Sequence, residues 1–124
     1  MSAKRRDVTL VAVVSSAPLV GEALAASLEP VAEVRWFPAG RGGTAGLLDS
    51  LRPDAVVVDD AAEARAATAF ARRSGAPLVH VVLDERRLRL LRSGRWVEQK
   101  KADLSPDTIR NLLVGGIFGR ESVK

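Results

Sequence analysis

The 124 residues of this chain, 47% of them hydrophobic, suffice for one packed core, which excludes a second large domain. The absence of cysteine excludes disulfides and thiolate metal sites, and with a single histidine it leaves only carboxylates as plausible metal ligands. We expect no bound metal and no other cofactor. The net charge of +4 would suit nucleic acid, but no helix-turn-helix or aromatic RNA-binding motif accompanies it, so we expect no specific nucleic-acid binding.

Residues 1–7 are expected to form a basic N-terminal extension and residues 120–124 a frayed tail, which leaves residues 8–119 for the domain. The apolar stretch from Val8 to Val14 is too short for a signal peptide, and no apolar run approaches the roughly 18 residues of a membrane span. These patterns predict a cytoplasmic protein that does not contact a membrane.

Strands and helices are predicted to alternate along the chain. Apolar runs of strand length alternate with segments whose apolar residues recur every three or four positions. In chain order, the predicted elements are a strand over Val8 to Val14, a helix with Val20, Leu24 and Leu28 on one side, a strand over Val31 to Phe37, a helix from Thr44 that ends before Pro53, a strand over Ala55 to Val58, a helix over Ala61 to Arg73, a strand over Pro77 to Leu83, a helix over Asp84 to Ser93, a weaker strand over Arg95 to Lys100, and a helix from Pro106 with Ile109, Leu112, Leu113 and Ile117 in its buried stripe.

The ends of the predicted helices carry residues that commonly occupy such positions. Thr44 and Ser105 are predicted to cap the second and fifth helices, and Asp60 is interpreted as the cap of the third. Gly75 and Gly94 would end the third and fourth helices.

Repeated alternation of strand and helix predicts an α/β fold, because right-handed crossovers place helices on both faces of a parallel sheet. We expect a flavodoxin-like, doubly wound sheet of five parallel strands in the order 2-1-3-4-5. In that order a site would lie at the carboxyl ends of the first and third strands, which are followed by Ser15 and Ser16 and by Asp59 and Asp60.

Two stretches of the sequence resemble the receiver domains of bacterial response regulators, most closely those of the LuxR-type branch. Val13 to Glu22 reads VVSSAPLVGE and resembles the first strand and helix start of that branch, which usually carry an acidic pair, one variable residue and then Pro-Leu-Val. Arg52 to Asp59 reads RPDAVVVD and resembles the third strand, whose final aspartate is phosphorylated in the family. The resemblance implies a receiver-like fold.

The same resemblance implies that the phosphorylation chemistry has been lost. Ser15 and Ser16 stand at the positions of the acidic pair that holds magnesium, and Val82 stands where active receivers carry a hydroxyl residue. The lysine of the fifth strand corresponds to Gln99 or, in a shifted register, to a following lysine (100 or 101), and the register stays open. The expected vestigial phosphorylation site consists of Asp59, Ser15, Ser16, Val82 and Lys100.

We therefore expect a noncatalytic pseudo-receiver, not an enzyme, that acts in bacterial signalling or transcriptional regulation through protein–protein contact. Its working surface is expected on the predicted fourth helix and fifth strand, where it would serve a homodimer or a docked protein partner. The residues expected there are Leu88, Arg89, Arg92, Trp96 and Glu98. Two alternatives stay open, namely a receiver phosphorylated at Asp59 and a sensor that binds a small ligand in the pocket near Ser15.

Two further features have interpretations that need no chemistry. His80 lies inside a predicted strand, so we interpret it as a core or sheet-face residue whose ring is hydrogen-bonded, and not as a catalytic base. The segment from Gly40 to Gly43 lacks the Gly-Lys-Ser/Thr ending of a phosphate-binding loop, so we expect a mobile loop.

Overall fold

The computed structural model of the chain describes residues 9–82, 85, 87–99 and 106–117. In chain order the elements are β1 (Leu10–Ser15), α1 (Pro18–Leu28), β2 (Glu33–Pro38), α2 (Thr44–Leu51), β3 (Ala55–Val58), α3 (Ala61–Ser74), β4 (Leu78–Val82), β5 (Arg87–Arg92), β6 (Arg95–Gln99) and α4 (Pro106–Ile117). The predicted N-terminal extension and C-terminal tail, Lys100 and the predicted cap Ser105 lie outside the described residues. No helix in the described ranges is long and apolar enough to cross a membrane.

The fold is α/β, as predicted, and the six strands among the described residues form one mostly parallel sheet in the order β2-β1-β3-β4-β5-β6. The first four strands are parallel and take the predicted order. The last two differ from the prediction of five parallel strands, because β5 runs antiparallel to β4, and β6 antiparallel to β5. The sheet therefore ends in a hairpin.

The predicted fourth helix, from Asp84 to Ser93, is wrong, since this segment contributes β5. Leu88 and Leu91 lie three residues apart, which fits a helix, but Arg87 to Leu90 alternates arginine with leucine, which fits a half-buried strand equally well. Ser93 and Gly94 have φ angles of 54° and 77°, and a two-residue turn with both residues left-handed suits the twist of a hairpin. This Ser-Gly pair was the local signal for the turn.

Apolar side chains on the two faces of the sheet pack against different helices. On one face, side chains of β1, β3, β4 and β5 pack with Leu24 and Leu28 of α1 and with Ile109 and Leu113 of α4. On the other face, they pack with Leu48 of α2 and with the apolar side of α3. β1 and β3 are buried on both faces, which explains why their sequences are continuous apolar runs.

The second and third helices begin differently. Asp60 caps α3 as predicted, because its carboxylate accepts the backbone N–H groups of Ala62 and Glu63 at 2.9 and 3.1 Å. Gly75 ends the helix with a φ of 82°. Thr44, by contrast, is the first residue of α2 and not its cap, since Gly43 occupies the capping position and the Thr44 hydroxyl donates to Glu63.

Candidate functional site

The parallel pairing of β1 with β3 brings Ser15, Ser16 and Asp59 together at the carboxyl edge of the sheet. Val14 lies in register with Val58, so the residues that follow them are neighbours. The Ser15 hydroxyl lies 2.8 Å from Asp59 Oδ2, and the backbone N–H and hydroxyl of Ser16 donate to Asp59 Oδ1 at 2.8 and 3.2 Å. The structure thus joins three of the residues that the sequence assigned to one site.

Neutral groups surround the Asp59 carboxylate on both of its oxygens. Ser15 is only 2% exposed, and its hydroxyl accepts the N–H of Ala17 at 3.0 Å. The hydroxyl also lies 2.9 Å from the carbonyl oxygen of Ala17, and because it has one hydrogen it donates either to that oxygen or to Asp59. The serines therefore supply hydrogen-bond donors at the place where the resemblance implies two carboxylates.

Asp60, the other carboxylate beside the site, is engaged by the first turn of α3 through two backbone N–H groups. Among the described residues, no group of three or more histidine, cysteine, aspartate or glutamate side chains could hold a metal ion. At the carboxyl edge of the sheet, the Asp59 carboxylate therefore lies beside the hydroxyl groups of Ser15 and Ser16.

Val82 and the predicted lysine position lie farther along the sheet. Val82 is the last residue of β4 and pairs with Arg87 of β5, and its side chain has no hydroxyl to offer. Gln99 ends β6, and because β5 separates β4 from β6, Gln99 lies one strand farther from Asp59 than the resemblance implies, a step of about 4.8 Å. Lys100 lies outside the described residues.

His80 lies on β4 between Val58 and Arg89 on the neighbouring strands. It is 7% exposed, and its buried Nδ1 atom has no hydrogen-bond partner among the described residues, so in this part of the chain the nitrogen does not make the hydrogen bond expected from the sequence. Burial lowers the pKa of His80 below its ordinary value, and the guanidinium groups of Arg89 and Arg87 lower it further, while the Asp59 and Asp60 carboxylates oppose the shift.

The lowered pKa of His80 predicts that acid destabilises the fold. Because the folded state binds this proton less readily than the unfolded state, the stability is fully present above the unfolded pKa of about 6.5 and falls as the pH drops through the lower folded pKa. Urea unfolding at pH values between 5 and 8 should show a steeper decline for the native chain than for His80→Leu. If the stability of the two proteins changed with pH in the same way, the prediction would be contradicted. The chain has one histidine, so no other imidazole contributes to the comparison.

The expected interaction residues lie on the β5–β6 hairpin, where they divide between its interior and its surface. Leu88 is 1% exposed and packs in the core with α1 and α4, so its placement on an interaction surface was wrong. The Arg89 guanidinium lies 4.4 Å from the centroid of the Trp96 ring. Arg92 and Glu98 are exposed, and Glu98 forms an ion pair with Arg87.

Trp96 is half-buried and packs against the same core cluster as Leu91, its partner in register. The Trp96 ring therefore packs against the core cluster, and the Arg89 guanidinium lies over the ring. At the tip of the hairpin, Arg72 of α3 donates to the carbonyl oxygen of Gly94 at 3.4 Å, which attaches the turn to the helix.

A buried carboxylate that the sequence did not reveal lies near the loop between β2 and α2. Glu63 of α3 is 6% exposed and accepts the N–H of Gly40 at 2.6 Å and the hydroxyl of Thr44. These bonds fasten the segment from Gly40 to Gly43, which we expected to be mobile, to the start of α3. The sequence holds no local signal for them, since the partners lie 19 and 23 residues away.

Comparison with known proteins adds no relative to this description. No family model, curated protein or solved structure matches the chain.

Proposed function

We propose that this chain is a noncatalytic, receiver-like module that acts by protein–protein contact in bacterial signalling or transcriptional regulation. The observation that carries the proposal is the surroundings of the Asp59 carboxylate, whose Oδ1 accepts the N–H and hydroxyl of Ser16 and whose Oδ2 lies 2.8 Å from the Ser15 hydroxyl. Phosphoryl transfer in receivers depends on a divalent cation held by carboxylates, and neutral hydroxyl groups at two of those positions leave little charge to hold it.

The order of the first four strands supports the receiver-like part of the proposal. β1 and β3 lie side by side in the interior of the sheet, so the two stretches that resemble receivers meet at one edge. Two further positions differ from those of an active receiver, because Val82 offers no hydroxyl and β5 lies where the resemblance places the lysine-bearing strand. A module with this site is suited to binding another protein, and its exposed arginine-rich hairpin offers a surface for doing so.

The proposal predicts that Asp59 stays unmodified when the protein is incubated with magnesium and acetyl phosphate. Intact-mass spectrometry and phosphate-affinity electrophoresis would measure the modified fraction, which should not exceed that of Asp59→Ala. A triple variant, Ser15→Glu with Ser16→Asp and Val82→Thr, restores the missing groups and tests whether they limit the reaction. Stoichiometric modification of the native chain that disappears in Asp59→Ala would instead establish a phosphorylatable receiver.

A further inference from the structure

The two edge strands of the sheet differ in how well they are protected from pairing with another strand. On β2, Glu33 and Arg35 neutralise each other in an ion pair of 3.4 Å, and the strand ends at Pro38, which lacks a backbone N–H. The Trp36 ring lies against Gly21 of α1, so closely that a Cβ atom there would come within 2.1 Å of Trp36 Nε1. Charges and proline are common means by which natural edge strands avoid further pairing.

The opposite edge, β6, is less protected. Within the described ranges β6 pairs only with β5, so one row of its backbone groups faces away from the sheet. Val97, in the middle of the strand, is 56% exposed. Beside it is a cavity of about 410 Å³ lined by Leu90, Arg92, Ser93, Arg95, Trp96 and Val97. This edge therefore combines unpaired backbone groups with an apolar recess.

The charges around this recess are positive and unbalanced. Arg92 and Arg95 face each other in register on either side of the turn, and among the described residues neither forms an ion pair. Arg87, by contrast, is matched by Glu85 and Glu98. Like charges directly opposite each other destabilise a strand pair, so a negative group placed between Arg92 and Arg95 would relieve the repulsion.

We propose that β6 binds an extended acidic segment of a partner protein by strand addition, with carboxylates against Arg92 and Arg95 and an apolar side chain over Leu90 and Val97. Arg95 and Val97 are two residues apart on one strand and so lie on the same face, which requires an acidic and an apolar residue two positions apart in the partner. This inference rests on the proposed function, since it names the partner of a protein-contact module.

The charge of the hairpin favours an acidic partner over a second copy of this chain. Residues 87–99 contain four arginines and one glutamate, so edge-to-edge pairing of two copies would bring two positive hairpins together. Sedimentation of the purified chain tests this directly, because a dimer that dissociates on Arg95→Gln would identify the second copy as the occupant and overturn the proposal.

The test uses an acetylated peptide of three Glu-Ser-Val-Ser repeats, in which Glu and Val lie two positions apart and so share a strand face. It is added to the full chain carrying Trp36→Phe, which leaves Trp96 as the only fluorescent indole. We expect a saturable change in Trp96 fluorescence and slower hydrogen exchange at the amides of β6. A peptide of three Lys-Ser-Val-Ser repeats and a copy of the acidic peptide that is N-methylated at every residue are the controls, since the first reverses the charge and the second cannot donate backbone hydrogen bonds. Neither should bind.

Paired charge reversals then locate the site. Arg92→Glu with Arg95→Glu should weaken binding of the Glu-Ser-Val-Ser peptide by about tenfold or more and remove most of its salt dependence. Arg41→Glu with Arg65→Glu changes the net charge equally at exposed positions elsewhere and should leave affinity within about twofold. The milder pair Arg92→Gln with Arg95→Gln should lose less than the reversal, and circular dichroism checks that each variant is folded.

Three results would overturn the inference: absence of saturable binding, equal binding by the N-methylated peptide, or equal loss in the two reversal pairs. Protection at β2 instead of β6 would move the site to the other edge and would also overturn it. These outcomes leave the phosphorylation test of Asp59 unaffected, so failure of the proposed partner and failure of the proposed function can be told apart.

Discussion

Leu88→Ala is expected to lower the free energy of unfolding by about 2–5 kcal/mol, the range for removing a buried leucine side chain from a packed core. Leu88 is 1% exposed and lies between the sheet and the helices α1 and α4. The truncation would remove apolar contacts and leave a cavity in a region that cannot collapse without moving β5. Urea unfolding followed by circular dichroism measures the loss.

Val97→Ala is the matched control, because Val97 lies on the same hairpin and is 56% exposed. Its cost should stay within about 0.5 kcal/mol. If Leu88→Ala cost no more than Val97→Ala, Leu88 would lie on the surface, as the sequence suggested, and the hairpin would be misplaced.

Glu63→Met is expected to lower the free energy of unfolding by about 1–3 kcal/mol, because the substitution keeps the length of the side chain and removes both acceptors. The N–H of Gly40 and the hydroxyl of Thr44 would then lose their partner, and Thr44 is only 8% exposed. Hydrogen exchange at the Gly40 amide should accelerate in this variant, and urea unfolding gives the change in stability.

Glu63→Gln separates the hydrogen bonds from the charge. Its amide can accept from Gly40 and donate to the Thr44 oxygen, so it should lose less stability than Glu63→Met, while both variants lose the same negative charge near the start of α3. Equal losses in the two variants would mean that the charge at the helix start, and not the anchoring of the loop, accounts for the effect.

The carboxyl-edge site was largely predictable, whereas the Glu63 anchor was not. Ser15, Ser16 and Asp59 each follow a recognisable strand, and a parallel order that places β1 beside β3 brings strand ends together. Glu63 occupies the first turn of a helix, where an acidic residue is common for local reasons, so its sequence position gives no hint of a partner in another loop.

The sequence by itself determined the elements whose signals are local. The continuous apolar runs of β1 and β3 indicate strands buried on both faces, and α3 is bounded by Asp60, whose carboxylate caps the helix, and by Gly75, which adopts the left-handed conformation at its end. These features are determined by residues that are close together along the chain. They could therefore be predicted without knowing the rest of the fold.

Only the tertiary structure decided the conformation of the segment from Arg87 to Arg92. Its leucine spacing fits either a helix or a strand, and the sequence alone does not show which segment pairs with the free edge of β4. As a strand, the segment satisfies the hydrogen-bonding groups of that edge and buries Leu88 on one face and Leu91 on the other. As a helix it would have left that edge of β4 to the strand predicted over Arg95 to Lys100 and brought both leucines to one side, because residues three apart share a helix face while residues three apart on a strand face opposite ways.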